Sequence, residues 1–146
     1  MTEVVLDASV VMKWFRAEGE RHLDAARSLR AAFEAGELIV FAPPLLRLEI
    51  VNVAGRRWRW SESALLELAG ALDELGFEFI EPDLVRVAYW TARGLTAYDA
   101  AYVAVAEADG TRLFTDDDLI LTVAGDIATA LADIESSPLN GFAQCR

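Results

Sequence analysis

Val4-Val5-Leu6-Asp7-Ala8-Ser9 decides how the rest of this chain is read. Val and Leu run together with no polar alternation, the mark of a strand buried on both faces. Residues 3–7 are therefore expected to form a buried strand. An acid closes the run, and Ser9 is placed to cap a short helix through Val10-Val11-Met12-Lys13-Trp14-Phe15. A buried strand passing straight into a helix begins a β–α unit.

The alternation repeats downstream. Residues 20–35 carry Leu23, Ala26, Leu29 or Arg30, and Phe33 at helical spacing, with Gly36 past the end. Leu38-Ile39-Val40-Phe41 is a second strand, and Pro43-Pro44 stops it and opens a helix to about Trp58. Ser61-Glu62-Ser63-Ala64 begins a helix that closes near Gly76, and Phe77-Glu78-Phe79-Ile80 is a third strand ended by Pro82. A helix from Leu84 to Arg93 follows. Thr96-Ala97-Tyr98-Asp99 reads as a capping box for a helix through Ala108, whose Ala100, Ala101, Ala104 and Ala108 suit close packing on a sheet. Arg112-Leu113-Phe114-Thr115 is a fourth strand, followed by a short helix or turn from Asp118 to Val123. A last strand falls near Asp126 to Leu131 or in Ala132-Asp133-Ile134. Strands alternating with helices imply an α/β domain with a mostly parallel sheet. Such sheets bind ligands at the carboxyl ends of their strands, near a switch in strand order.

Composition narrows the classes. The 146 residues suit a single domain over 1–146, and a hydrophobic content of 54% supports a real core. No run of about 18 apolar residues indicates a membrane span, and Met1-Thr2-Glu3 lacks the basic start of a signal peptide. Cys145 is the single cysteine, so an internal disulfide is excluded and a reducing cytoplasm is the expected setting. The net charge of -11 disfavours nonspecific nucleic-acid binding by the bare surface. It does not disfavour a nuclease, because acids that hold metal count as negative and a bound cation reverses the field locally.

Four acids stand in apolar settings: Asp7 after the first strand, Glu49 inside Leu45-Leu46-Arg47-Leu48-Glu49-Ile50-Val51, Asp99 at the front of an apolar helix, and Asp117 after the fourth strand. Burying such groups is costly unless they are paired, hydrogen-bonded or metal-bound. Asp7, Glu49 and Asp99 lack a basic neighbour nearby in the chain, so a shared divalent cation would satisfy them together. Blander readings stand beside this one. Asp99 also reads as the third-position acid of the capping box, Asp7 as a turn acid, and Asp117 or Asp118 as a helix cap, with Asp118 favoured for it. Glu49, mid-helix, has the fewest alternatives. Asn52 lies one turn further along the same face and could steady it.

Taken together, Asp7-Ala8-Ser9, Glu49 with Asn52, the run from Leu95 to Ala106, and Leu113-Phe114-Thr115-Asp116-Asp117 resemble the PIN-domain family, with the VapC-type toxins of prokaryotic toxin–antitoxin pairs as the nearest likeness. The resemblance covers essentially the whole chain. It implies a three-layer domain with a central, mostly parallel sheet of four or five strands flanked by helices. It also implies a metal-dependent ribonuclease, dimeric and restrained by a cognate antitoxin, acting on an RNA substrate. The family's acidic quartet carries over to Asp7, Glu49, Asp99 and Asp117, with Thr115 as the threonine of its last motif and Ser9 and Asn52 at supporting positions. The chain departs from the pattern in having Asp116, Asp117 and Asp118 in a row, which leaves the fourth acid ambiguous by one residue.

Magnesium, or manganese in its place, prefers such oxygen ligands and keeps several waters. Asp7, Asp99 and Asp117 are the expected metal holders, directly or through water. Glu49 would hold a second ion or the attacking water. Other classes fit less well. A phosphatase built on an aspartyl-phosphate needs a second acid where Ser9 stands, and a receiver domain needs paired N-terminal acids. A dinucleotide site needs a glycine-rich loop after the first strand, which is missing. A catalytically silent interaction module of the same fold remains an alternative. Arg56-Arg57-Trp58-Arg59-Trp60 reads either as an RNA contact with base stacking or as a solvated helix end, with partner packing as a third option. His22 is expected at the surface. Trp14, Trp58, Trp60 and Trp90 are expected to leave apolar surface that a dimer would cover.

Overall fold

The computed structural model describes residues 1–135. Its elements in chain order are β1 (Thr2–Leu6), α1 (Ala8–Phe15), α2 (Leu23–Glu34), β2 (Leu38–Ala42), α3 (Leu45–Arg56), α4 (Glu62–Asp73), β3 (Glu78–Phe79), α5 (Leu84–Ala92), α6 (Ala97–Asp109), β4 (Arg112–Thr115), α7 (Asp118–Val123), β5 (Ala128–Ala130) and α8 (Leu131–Glu135). The strands form one parallel sheet in the order β3-β2-β1-β4-β5, flanked by the helices.

That order explains where a site must lie. The chain builds outward from β1 to β2 to β3, then returns to lay β4 against the other side of β1. Strand order therefore reverses between β1 and β4, and the crevice at their carboxyl ends is the switch point. Asp7 follows the last residue of β1, and Asp116 and Asp117 follow the last residue of β4. Val4, Val5 and Leu6 of β1 and Leu113, Phe114 and Thr115 of β4 are buried. Two central strands covered on both faces show apolar runs rather than alternation for this reason.

α6 lies against β1, β2 and β4. Ala100 through Ala106 are all buried, so the middle of this helix is enclosed on every side rather than along one stripe, and it reaches solvent at its two ends, at Ala97 and Tyr98 and again at Ala108 and Asp109. Gly110 ends it in the left-handed region at φ 67, where a side chain would be strained. The fifth strand falls at Ala128–Ala130, inside the first of the two expected ranges; Ala132, Asp133 and Ile134 belong to α8 instead.

The tryptophans correct one expectation. Trp14 packs on Phe33 and Phe77, its ring centroid 6.2 and 5.8 Å from theirs, and its indole N–H donates to the Ala26 carbonyl at 2.9 Å. Trp90 is buried, and Trp58 and Trp60 pack against the core. Aromatic clustering leaves Trp14, Trp58 and Trp60 half-buried rather than fully exposed. The large hydrophobic side chains most exposed among the described residues include no tryptophan and are chiefly Leu48, Leu66, Leu84, Val85 and Tyr98. None of the described helices is long and apolar enough to cross a membrane. Cys145 lies outside the described residues.

Candidate active site

The turn from β1 into α1 places the first acid. Asp7, not Ser9, is the N-cap of α1: its backbone is extended and its Oδ1 accepts the Val10 N–H at 3.3 Å. Ser9 spends its hydroxyl on Asp7, donating to the same Oδ1 at 2.5 Å. The Thr115 hydroxyl donates to the other oxygen, Oδ2. Asp7 is thus gripped on both oxygens while only 4% exposed. Burial pushes its carboxyl up to about 7, against the opposing pull of the Ser9, Thr115 and Val10 donors and with a small further push from Asp99.

Two hydroxyl relays tie β4 to that carboxylate. The Asp116 N–H donates to Ser9 Oγ at 3.2 Å, and the Asp117 N–H donates to Thr115 Oγ1 at 3.0 Å. Ser9 and Thr115 then each donate to Asp7. Asp117, and not Asp118, is the N-cap of α7, its Oδ1 accepting the Ile120 N–H at 2.9 Å. Asp118 is exposed in the first turn. The cap falls on Asp117 because its extended backbone turns its side chain onto the free N–H groups ahead of it.

Asp99 approaches from the start of α6. Thr96 is the N-cap and accepts the Asp99 N–H at 3.1 Å, the threonine half of the expected capping box. Asp99 is half-buried, and its carboxyl is raised by burial and then by the charge of Asp117. Glu49 comes from the middle of α3 and accepts the Tyr102 hydroxyl at 2.6 Å on Oε1. Burial raises Glu49, Tyr102 partly offsets that, and Asp99 adds to it. Tyr102 itself is pushed strongly up by burial and by the charges of Glu49, Asp7 and Asp99, so its proton stays on the phenol.

Asp99 is the hub: its charge acts on Asp7 and Glu49, and Asp117 acts on it. The structure therefore brings the sequence-predicted acids Asp7, Glu49, Asp99 and Asp117 into one electrostatic neighbourhood. The N-termini of α1 and α6 offset part of the repulsion. Among the described residues, no three acidic, thiol or imidazole side chains are gathered closely enough to hold a metal ion as they stand. The donor chemistry nonetheless fits a hard divalent cation. All four offer carboxylate oxygens, Asp99 is coupled to the other three, and such a cation keeps several waters instead of demanding an all-protein cage.

Other candidate residues part company here. Asn52 is exposed on α3 and makes no hydrogen bond to Glu49. Asp116 turns away from the acids to an ion pair with Lys13, Nζ to Oδ2 3.1 Å. His22 is not a plain surface residue: at φ 57 it precedes α2, and its Nε2 lies 3.9 Å from Asp116 Oδ1. Of the Arg/Trp cluster, Trp58 receives the Arg16 guanidinium 5.3 Å from its ring, while Arg56, Arg57 and Arg59 are exposed. Sequence reasoning gave no role to Tyr102 and Lys13. Their only local signals were spacing: Tyr102 lies one turn after Asp99, and Lys13 one turn after Ser9.

A family model described as PIN domain matches residues 4–126 of the chain. The crystal structure of PAE2754 from Pyrobaculum aerophilum shares the fold, with a TM-score of 0.65 over 98% of this chain and 96% of that one at 24% identity. No curated protein matches.

Proposed function

The chain belongs to the PIN-domain family, whose fold is of a nuclease type, and on that premise we propose that it is a metal-dependent endoribonuclease. The observation that carries the proposal is the placement of Asp7 and Asp117 at the carboxyl ends of β1 and β4, with Asp99 close enough for its charge to act on Asp7 and Glu49 and for that of Asp117 to act on it. Burial raises the proton affinity of Asp7, Glu49 and Asp99, neighbouring acid charge adds to it, and a cation at the switch point would offset that cost.

Asp7, Asp99 and Asp117 are the residues that would hold magnesium or manganese. When bound, such an ion orients water and offsets charge on the scissile phosphate. Ser9 and Thr115 fix the Asp7 carboxylate by hydrogen-bonding both of its oxygens. Glu49 has one oxygen held by Tyr102, which leaves the other to orient the attacking water and take its proton. Tyr102, kept protonated, fixes Glu49 without competing for that proton.

The toxin role is part of the same proposal and is supported by the resemblance to VapC-type toxins. The net charge of -11 and the acidic pocket would draw a basic antitoxin segment, an Arg of which could sit where the cation does. A homodimer is supported by the apolar side chains Leu48, Leu84 and Val85 left exposed on α3 and α5.

Incubating purified protein with end-labelled single-stranded RNA tests the nuclease. Cleavage in magnesium or manganese, abolished by chelator and by Asp99→Asn, is expected. Full cleavage in chelator, or none with any divalent ion, overturns the proposal. Co-expression with a small open reading frame, if one adjoins its gene, tests the toxin role, and light scattering of the isolated chain tests the dimer.

A further inference from the structure

Asp116 stands in an unbroken run of acids yet makes no contribution to the raised carboxyls of the site. Its side chain is held elsewhere, and the holder is the single lysine of the chain. Lys13 is buried, with its side chain 1% exposed, an uncommon place for lysine unless it is paired. Its Nζ lies 2.8 Å from Glu20 Oε2 and 3.1 Å from Asp116 Oδ2. Ser9, four residues earlier on the same face of α1, accepts the Asp116 N–H at 3.2 Å. α1 therefore grips residue 116 twice, by its backbone and by its carboxylate.

We propose that Lys13 is a positioning residue that, together with Ser9, clamps Asp116 onto α1 and thereby leaves Asp117 as the acid that faces Asp99. The geometry of an extended segment carries the consequence. Successive side chains there point to opposite sides. Thr115 reaches Asp7, Asp116 reaches Lys13 on the other side, and Asp117 returns toward the acids with an extended backbone at φ -93 and ψ 118. Holding Asp116 outward fixes the register of the whole run. Glu20 shares the lysine, and His22 Nε2 flanks the other Asp116 oxygen at 3.9 Å, so the clamp closes from α1 and from the approach to α2.

This inference deepens the proposed metal site and rests on that reading for its metal arm only. Calorimetric titration of manganese alone into the metal-free protein is run on wild type, Asp116→Asn and Asp117→Asn, and on the same two changes in a Lys13→Met background. In wild type, D117N is expected to weaken manganese binding at least tenfold and D116N less than threefold. In the K13M background the two penalties are expected to converge, because either acid can then swing into the site. A lysine that only supports folding would lower stability and leave the two penalties as they were, and that result overturns the proposal. A D116N penalty equal to that of D117N in wild type overturns it as well. The second arm needs neither metal nor RNA. Amide hydrogen exchange by NMR is expected to speed up at least tenfold at Asp116 and Asp117 in K13M, with β1 amides unchanged, and equal exchange overturns the clamp. If wild type binds no manganese, the nuclease reading fails and the exchange arm alone decides the clamp. Lys13→Gln carries the same comparisons if K13M does not fold.

Discussion

Asp7→Asn should make the metal-free protein more stable while abolishing its proposed activity. Burial lifts the Asp7 carboxyl from 3.8 to about 7. The folded state therefore prefers the proton on. The stability this confers is complete below about pH 4 and is lost as pH climbs through about 7. At 1.36 kcal/mol per unit, ionising this buried group costs folding about 4 kcal/mol at neutral pH. Asn removes the charge but presents an N–H₂ where one oxygen stood, so the Thr115 or Ser9 donor loses its acceptor. That mismatch costs about 1–2 kcal/mol. The net gain is about 2 kcal/mol, or a rise in Tm of about 4–8 °C for a chain of this size. Thermal melts in chelator, followed by circular dichroism from pH 4 to pH 8, measure it. The difference in Tm between variant and wild type should be small or negative near pH 4 and positive at pH 7.5. Added manganese should stabilise wild type and leave the variant nearly unmoved. A variant less stable than wild type at pH 7.5, or a difference that does not change with pH, would refute the burial argument.

Asp99→Asn should lower RNA cleavage at least a hundredfold and raise the chelator Tm at neutral pH, because it removes the charge that presses on Asp7 and Glu49; single-turnover cleavage and melts check both. Thr115→Val removes a buried hydroxyl that donates to Asp7 and accepts from Asp117, and should destabilise by about 2–4 kcal/mol, measured by urea unfolding. Tyr102→Phe should raise the Glu49 carboxyl further, since the phenol donor holds it down, and move the acidic limb of the cleavage pH profile upward; an unmoved limb would count against Glu49 as the base.

Much of the fold was legible because its signals are local. The unbroken apolar run of β1, the Thr96 cap before Asp99 and the glycine after α6 each act over a few residues, and each formed where the pattern placed it. The four acids stood out as candidates for a related reason: charge inside an apolar run is anomalous whatever the tertiary structure. Caps were harder. Asp7 and Ser9 both carry an oxygen suited to an N-cap, and only the path of β1 decides that Asp7 takes the backbone N–H while Ser9 turns back to Asp7. The partners of the acids were out of reach. Tyr102 and Glu49 meet across 53 residues, and Lys13 finds Asp116 only because β4 is laid beside β1. The tryptophans misled because aromatic clustering, which hides Trp14 between Phe33 and Phe77, leaves no periodic trace.

Crystals soaked in manganese and measured at the manganese absorption edge test the central claim most directly. The account predicts an anomalous peak at the carboxyl ends of β1 and β4, within about 2.0–2.3 Å of oxygens from Asp7, Asp99 or Asp117 or of waters they hold. It also predicts that Asp99→Asn abolishes the peak. A peak elsewhere, or one that survives Asp99→Asn undiminished, would contradict it.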